Sequence, residues 1–493
     1  MVSLEIMNSY KATIGIEVHA EVNTKSKMFC GCKNDPHAAA VNTNICPVCL
    51  AHPGTLPVVN KEAVEKILMV GKAIGGEIAD YSEFDRKQYF YPDIPKAYQL
   101  SQYAFPFVKG GSLGGVAITR VHLEEDTARS QHDIETLNAK ANANEGLKGD
   151  SLVDFNRAGV PLMELVTEPV IHDSKTAAKF TKELQLLLRT LGVSEANMEK
   201  GEMRVEANIS VSDSDKLGTK VEVKNLNSFK AMEQAIDYEI SRQSEILAKN
   251  GSISQETRGW DENKSKTFVQ RSKESAMDYR YFPDPDIPKF SIGLVAEFSH
   301  DNLRGKMPLL PEDLRKRLLG LGLSQEQAEA LLYDKEAKEY FFEAFPIEGE
   351  AKDGNLAKLF ANYLLSDLAG MRAARPELSL SKESAERMKA LMLMLIDDQV
   401  SSRAAKDMLE EVVFEGAVPS DLAKNRGLLQ NNSAEFLDGI VKEVIDANPA
   451  VAEEVRGGKL SAVQFLVGQG MKASKGSADP KALMEAFQKH LQP

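Results

Sequence analysis

Cysteine and tryptophan are nearly missing from this 493-residue chain: there are four of the first, all between Cys30 and Cys49, and one of the second, Trp260. A fold stapled by disulfides along its length is thereby excluded. Long apolar runs are missing as well. Leu391 to Ile396 is far short of the ~20 residues that span a bilayer, so no membrane partner is expected. Residues 1–10 carry Glu5 and no apolar stretch behind a basic start, so nothing there resembles an export signal and the expected location is the cytoplasm. An excess of basic charge is absent. With a formal net charge of −13, the chain cannot coat a nucleic acid with its whole surface, and any anionic partner must be met by a local patch. No Gly-x-x-x-x-Gly-Lys-Ser/Thr phosphate loop, Gly-rich dinucleotide fingerprint, His-Glu-x-x-His helix or Gly-x-Ser-x-Gly elbow occurs. The ordinary nucleotide folds, the metalloproteases and the serine hydrolases are therefore not signalled.

What is present divides unevenly. Up to about Pro288, short alternating runs mix with turns and two long helical stretches; beyond Met307 the pattern is almost continuously helical. The fold class expected is α+β: a mixed sheet first, all-α domains after it. The length suggests about three domains, placed at 1–293, 294–405 and 406–493. One long helix is expected from Ser174 to near Gly192 and another from an N-cap at Ser228 to Gly251. Ser324 with Gln327 is a capping-box signature, and breaks are expected at Pro346 to Asn355, Arg375 to Ser381 and Gly416 to Ser420. Residues 406–454 hold four basic and eleven acidic side chains, whereas 456–493 hold six and two. Lys459, Lys472 and Lys475 in that basic end are candidates for phosphate contacts, with a solvated helical face as the competing reading.

The four cysteines form Cys30-x-Cys32, thirteen intervening residues, then Cys46-x-x-Cys49. Two such knuckles can close tetrahedrally on zinc, with no position left for chemistry. A disulfide pair or two redox dithiols are the alternatives.

Three runs alternate strictly. Glu17, His19 and Glu21 lie opposite Ile16, Val18 and Ala20; Arg204, Glu206 and Asn208 opposite Val205, Ala207 and Ile209; Glu222 and Lys224 opposite Val221 and Val223. If the three strands are adjacent, their polar rows form a carboxylate-lined floor. Hard oxygen ligands favour magnesium, which in turn favours a nucleotide phosphate. His122-Leu123-Glu124-Glu125-Asp126 adds an acidic cluster that either holds a cation or faces water. Aromatic and basic residues interleave at Arg86, Lys87, Tyr89 and Tyr91 and again at Tyr279, Arg280 and Tyr281, a mixture that stacks splayed bases and holds their backbone, though Tyr beside Pro is also ordinary packing. Trp260 reads as packing.

Ile14-Gly15-Ile16-Glu17-Val18-His19, Phe84-Asp85-Arg86-Lys87, Tyr89-Phe90-Tyr91-Pro92-Asp93, the His122–Asp126 segment, Lys224-Asn225-Leu226-Asn227-Ser228-Phe229 and Asp278-Tyr279-Arg280-Tyr281-Phe282-Pro283 together resemble the B subunits of bacterial tRNA-dependent aspartyl/glutamyl-tRNA(Asn/Gln) amidotransferases. The resemblance runs the full length and is most specific in residues 13–290. It implies a glutamine-synthetase-like catalytic cradle, a helical domain and a helical tRNA-binding tail. It also implies a heterotrimer with an A-type glutaminase (amidase) partner and a small C-type partner, misacylated tRNA as substrate, ATP and magnesium. This chain has no amidase Ser-Ser-Lys signature, so the glutaminase is expected elsewhere.

Carried over position by position, the resemblance puts Glu17, His19 and Glu125 beside magnesium, with Glu124, Glu206, Glu222 and Glu256 as further candidates. Glu206 and Lys224 join Glu17, His19 and Glu125 as catalytic candidates, and Lys224 or Arg204 is placed by the strand pattern to steady a migrating phosphoryl group. The cysteine set occurs in some members of the family and not in others, so zinc belongs to the scaffold. Two other classes compete: a tRNA-binding scaffold without chemistry, and a stand-alone ligase joining free ammonia to a small acid. Neither gives both the acidic strands and the basic tail a task.

Overall fold

Alternation over Thr13–Val22 produces β1 (Lys11–Glu21), whose Ile14, Ile16, Val18 and Ala20 are buried on one side. It lies in the middle of a ten-stranded mixed sheet in a computed structural model, which describes residues 9–37, 40–131, 152–272, 279–347, 354–431, 433–457, 460–474 and 477–491. In chain order the strands after it are β2 (Glu77–Ile78), β3 (Tyr81–Ser82), β4 (Asp85–Gln88), β5 (Tyr98–Ser101), β6 (Val108–Lys109), β7 (Ser112–Leu113) and β8 (Val116–Glu125). There follow β9 (Arg129–Gln131), β10 (Leu152–Asp154), β11 (Pro161–Thr167), β12 (Met203–Ser212), β13 (Val221–Leu226), β14 (Glu256–Asp261), β15 (Lys266–Ser272), β16 (Phe282–Pro283) and β17 (Phe290–Ser291).

The main sheet runs β15-β14-β13-β12-β1-β11-β8-β6-β2, with β7 beside β8. Only β13 and β14 pair in parallel; the other neighbours are antiparallel. β1 therefore has β11 on one side and β12 on the other.

Two helices cover the apolar face, and both start where a side chain caps them. Asp173 accepts from Thr176 N at the head of α2 (Ser174–Thr190), and Ser228 accepts from Ala231 N at the head of α3 (Phe229–Ala248). Their Leu184, Leu187, Met232 and Ile236 join Ile14, Ile16, Val18, Val205 and Val223 in one core. Each such buried leucine stabilises the unit by about 2–5 kcal/mol relative to alanine. Helix α1 (Lys61–Ala73) packs on β8 and β6 so closely that any side chain at Gly71 would collide with Val108.

The chain divides into compact units Met1–Leu310 and Pro311–Pro493. The first runs past the expected boundary at 293 because Phe298 and Leu303, the latter on α4 (His300–Lys306), are buried in its core. The second is helical: α5 (Pro311–Gly320), α6 (Gln325–Tyr333), α7 (Lys335–Ala344), α8 (Gly354–Tyr363), α9 (Ala369–Ala374), α10 (Lys382–Ile396), α11 (Ser402–Glu410), α12 (Pro419–Asn425), α13 (Ala434–Ala447), α14 (Pro449–Arg456), α15 (Val463–Ala473) and α16 (Pro480–Leu491). The capping box at Ser324 and Gln327 forms as expected. The expected 405/406 boundary falls within α11, whose Ala404, Ala405, Met408 and Leu409 are buried together. The last core of the chain starts later, at Leu437, and gathers Val441, Leu466, Leu483 and Phe487.

Candidate active site

On the face of the sheet opposite α2 and α3, strand register builds one polar floor. His19 lies opposite Arg204 on β12 and Glu164 on β11, and Glu164 in turn lies opposite His122 on β8. One step along, Glu17 faces Glu206, and Asn208 faces Glu222. His19 Nε2 is 3.3 Å from Glu164 Oε2, 3.6 Å from Glu124 Oε1 and 3.8 Å from Glu17 Oε1. Lys224 Nζ sits 2.9 Å from Glu206 Oε2 and 3.6 Å from Glu222 Oε1, while the Thr257 hydroxyl donates to Glu222 Oε2 at 2.8 Å.

So many carboxylates in one dry place repel one another. Burial, with Glu164 and Glu206 alongside, raises Glu17 to about 8. Burial alone would lower His19, but the hydrogen bond to Glu164 and the charges of Glu164, Glu124 and Glu17 outweigh it and raise the imidazole to about 9. Burial raises Glu124 and pushes His122 down to about 4. It would raise Glu164 too, but the imidazoles of His122 and His19 and the Lys87 ammonium hold that carboxyl well below the usual range. Lys224 stays above its ordinary value against burial because Glu206 and Glu222 face it.

Three overlapping sets of side chains bring ligand atoms within 4.8 Å of one another: Glu17, His19 and Glu164; His122, Glu124 and Glu164; Glu17, Glu206 and Glu222. Mostly carboxylate oxygen, with at most one imidazole in each set, this donor chemistry fits magnesium. The four cysteine Sγ atoms also lie within 4.8 Å of one another, as a tetrahedral zinc site requires. Cys49 falls to about 5 because the Cys30 thiol donates to it, against burial and with help from the Cys46 N–H, while burial raises Cys32 to about 11.

The two aromatic segments meet beside the floor. Lys87 lies 5.1 Å from the centroid of the Tyr279 ring and 6.0 Å from that of Tyr89, and despite burial its ammonium is held well above its ordinary value by Glu124, Tyr281 and Glu164. Tyr89 contacts Tyr91 and Tyr279, and Tyr281 stacks on Tyr103 at 4.4 Å. Arg86 turns away: its Nε donates to Asp284 at 2.6 Å and its Nη2 to Asp286 at 3.0 Å, which pins β4 to the chain after β16. Arg280 is exposed with φ of 43°.

Two expected ligands are elsewhere. Glu125, one residue beyond Glu124 on β8, points to the other side, pairs with Lys96 at 2.6 Å and accepts from Leu100 N. There it lines a cavity of about 220 Å³ with Cys30, Cys49, Tyr98 and Asp286. Glu256 lies on the helix-covered face and pairs with Arg258 at 2.5 Å, because its neighbour Thr257 is the residue that faces the floor. Arg204 is likewise engaged, with both Nη atoms 3.2 Å from Asp126. Lys472 is on α15, whereas Lys459 and Lys475, like Asp278, lie outside the described residues. Sequence reasoning missed Glu164 and His122 as members of the floor. The signal for Glu164 was there: it is the single charge in Pro161–Thr167.

The family model described as the GatB/GatE catalytic domain matches residues 12–295, and a second, described as the GatB domain, matches residues 346–491. The chain belongs to the family of aspartyl/glutamyl-tRNA(Asn/Gln) amidotransferase B subunits. Relatives so named include proteins from Thermus thermophilus, 42% identical with 97% of this chain and 99% of the relative covered, and Dehalococcoides mccartyi, 41% identical with 99% and 100% covered. Another, from Gloeothece citriformis, is 40% identical with 99% of each chain covered. Every floor residue and all four cysteines fall within the stretch matched by the catalytic-domain model. Among the described residues no helix is long and apolar enough to cross a membrane.

Proposed function

We propose that this chain is the amidotransferase component that uses ATP to activate the side-chain carboxylate of misacylated Glu-tRNA(Gln), Asp-tRNA(Asn) or both. It then amidates that group with ammonia delivered by an A-type glutaminase (amidase) partner, in a cytoplasmic heterotrimer completed by a small C-type partner. The observation that carries the proposal is the floor itself, five carboxylates and two histidines on the face of one sheet opposite α2 and α3. A carboxylate resists addition of an amine because it is anionic and resonance-stabilised. In the first step its oxygen attacks the γ-phosphorus of ATP and ADP leaves. Ammonia then adds to the acyl carbon, and inorganic phosphate departs with the proton that the nitrogen loses.

Glu17, His19, Glu124, Glu164, Glu206 and Glu222 would hold magnesium, which when bound supplies the charge that lets ATP phosphates and a carboxylate approach. Lys224 steadies the transferred phosphoryl group. Lys87 receives the substrate carboxylate, and Tyr89, Tyr91, Tyr279, Arg280 and Tyr281 flank the tRNA acceptor end. Cys30, Cys32, Cys46 and Cys49 bind a structural zinc, and the basic end of the chain, with Lys459, Lys472 and Lys475, contacts tRNA phosphates. Glu125 and Glu256 are left out of the magnesium set on the geometry above.

The test is ADP release by the assembled complex, dependent on each misacylated tRNA in turn and compared with Glu124→Gln. ADP release that persists in the variant would refute the site.

A further inference from the structure

One of the largest wholly buried side chains in the first unit is charged. Lys27 has no exposed surface, and its ammonium meets Asn44 O at 2.9 Å, Phe155 O at 3.3 Å and Cys49 Sγ at 3.9 Å. An ammonium has three donors and no acceptor, and here three acceptors receive them. No carboxylate among the described residues pairs with it. A buried charge without a counter-charge is strongly unfavourable. The ammonium does reach the cysteine cluster, through Cys49 Sγ, where Cys46 N donates to the same sulfur at 3.1 Å and the four sulfurs crowd within 4.8 Å. A zinc ion with four thiolates carries two net negative charges, placed against the one buried ammonium.

We propose that Lys27 is the counter-cation of the cysteine cluster and couples its charge to the strand that supplies Glu164, an inference that rests on the zinc reading above. The coupling runs along hydrogen bonds. The loop before Cys46 is laced to residues 153–156: Asn42 N donates to Asp154, Asn44 N to Asn156 Oδ1 at 2.7 Å, and Phe155 N to Asn42 Oδ1 at 2.7 Å. Lys27 N donates to Cys32 O, and Met28 N to Gly159 O at 2.7 Å. Gly159 N donates to Asp126 O and Asp126 N to Val160 O, immediately before β11 begins at Pro161. The ammonium therefore joins the thiolates to the chain entering the floor. Removal of the thiolates would strand a cation in that joint.

A double-mutant cycle in the full-length chain reads this directly: Lys27→Met, the Cys46→Ser/Cys49→Ser pair, and all three changes together, with zinc content and melting midpoint measured for each. With the cysteines intact, Lys27→Met should release zinc to a chromophoric chelator roughly ten- to a hundredfold faster and lower the midpoint by several degrees. Without Cys46 and Cys49 the same change should leave the midpoint unchanged or raise it, since it removes a charge that has lost its partner. An equal fall in both backgrounds, with zinc release unaltered, would overturn the proposal and reduce Lys27 to a clip between two carbonyls. Should Lys27→Met and Lys27→Gln both fail to fold with cysteines present while the triple variant folds, the coupling is supported. If the triple variant fails as well, the coupling is refuted. Wild-type chain grown in zinc and found free of it would defeat the zinc reading alone, and the cycle would still decide whether ammonium and thiolate are coupled.

Discussion

The two faces of the central sheet both bury acidic groups, and they treat them in opposite ways. Beneath the sheet, Glu239 on α3 is wholly buried yet receives Arg242 Nε at 2.9 Å, Arg258 Nε at 3.1 Å and Gln243 Nε2 at 3.2 Å, and Arg258 also takes Glu256. Two acids meet two arginines, and the charges balance. On the other face, Glu17, Glu124, Glu164, Glu206 and Glu222 share Lys224, Lys87, Arg120 and the His19 imidazole, and Glu17 is driven to about 8 by burial and like charge. Balanced burial is what a scaffold needs. Unbalanced burial is a destabilising arrangement of the kind found where a ligand supplies the missing charge, which in the function proposed above is a cation with its phosphates.

That contrast can be broken by experiment, beginning with the largest effect. Glu124→Gln should cut tRNA-dependent ADP release by about a hundredfold or more while the melting midpoint hardly moves, because the lost group acts on the bound phosphoryl charge and not on the fold. Glu239→Gln should do the reverse. It leaves Arg242 and Arg258 buried without a full counter-charge, costing about 3–5 kcal/mol by chemical denaturation, while whatever folds keeps its turnover. A comparable loss of turnover in the two variants at equal stability would erase the distinction between the faces.

Glu125→Gln and Glu256→Gln sharpen it further. Neither should change ADP release by more than about tenfold, because neither side chain reaches the floor. Smallest of all, Ser228→Ala removes the cap of α3 and should cost about 1 kcal/mol of stability with no effect on ADP release.

How much of this was legible in the sequence depended on strand parity. β1, β12 and β13 alternate cleanly, so Glu17, His19, Glu206, Glu222 and Lys224 could be assigned to one face before their neighbours were known. Glu124 and Glu125 are adjacent acids in a strand buried almost throughout its second half, and only the register with β11 tells which one faces inward. Glu164 sits in a strand buried on both faces, where alternation has no contrast to report. At β14 a register shift between Thr257 and Arg258 accompanies the placement of Glu256 on the far side. The cysteine quartet needed no register, since four thiols in twenty residues are kept near one another by the chain itself, and the four sulfurs do meet. The cut expected at 405/406 falls inside α11, and what shows it is the joint burial of Ala404, Ala405, Met408 and Leu409, which composition does not report.

The order of the strands also bears on how the chain is made. Of the described strands β1 leaves the ribosome first, and both of its partners, β11 and β12, lie at or beyond Pro161. Until then Ile14, Ile16 and Val18 have no neighbouring strand of this sheet to pair with, and contacts so distant along the chain form slowly. The nascent chain thus carries an unpaired apolar strand through the 139 residues that separate Glu21 from Pro161, a surface suited to a chaperone that holds extended apolar segments. The charged residues of the floor are all in place once Lys224 has been added, before half of the 493 residues have been made, so this polar face is complete in sequence while the helical unit is still to come.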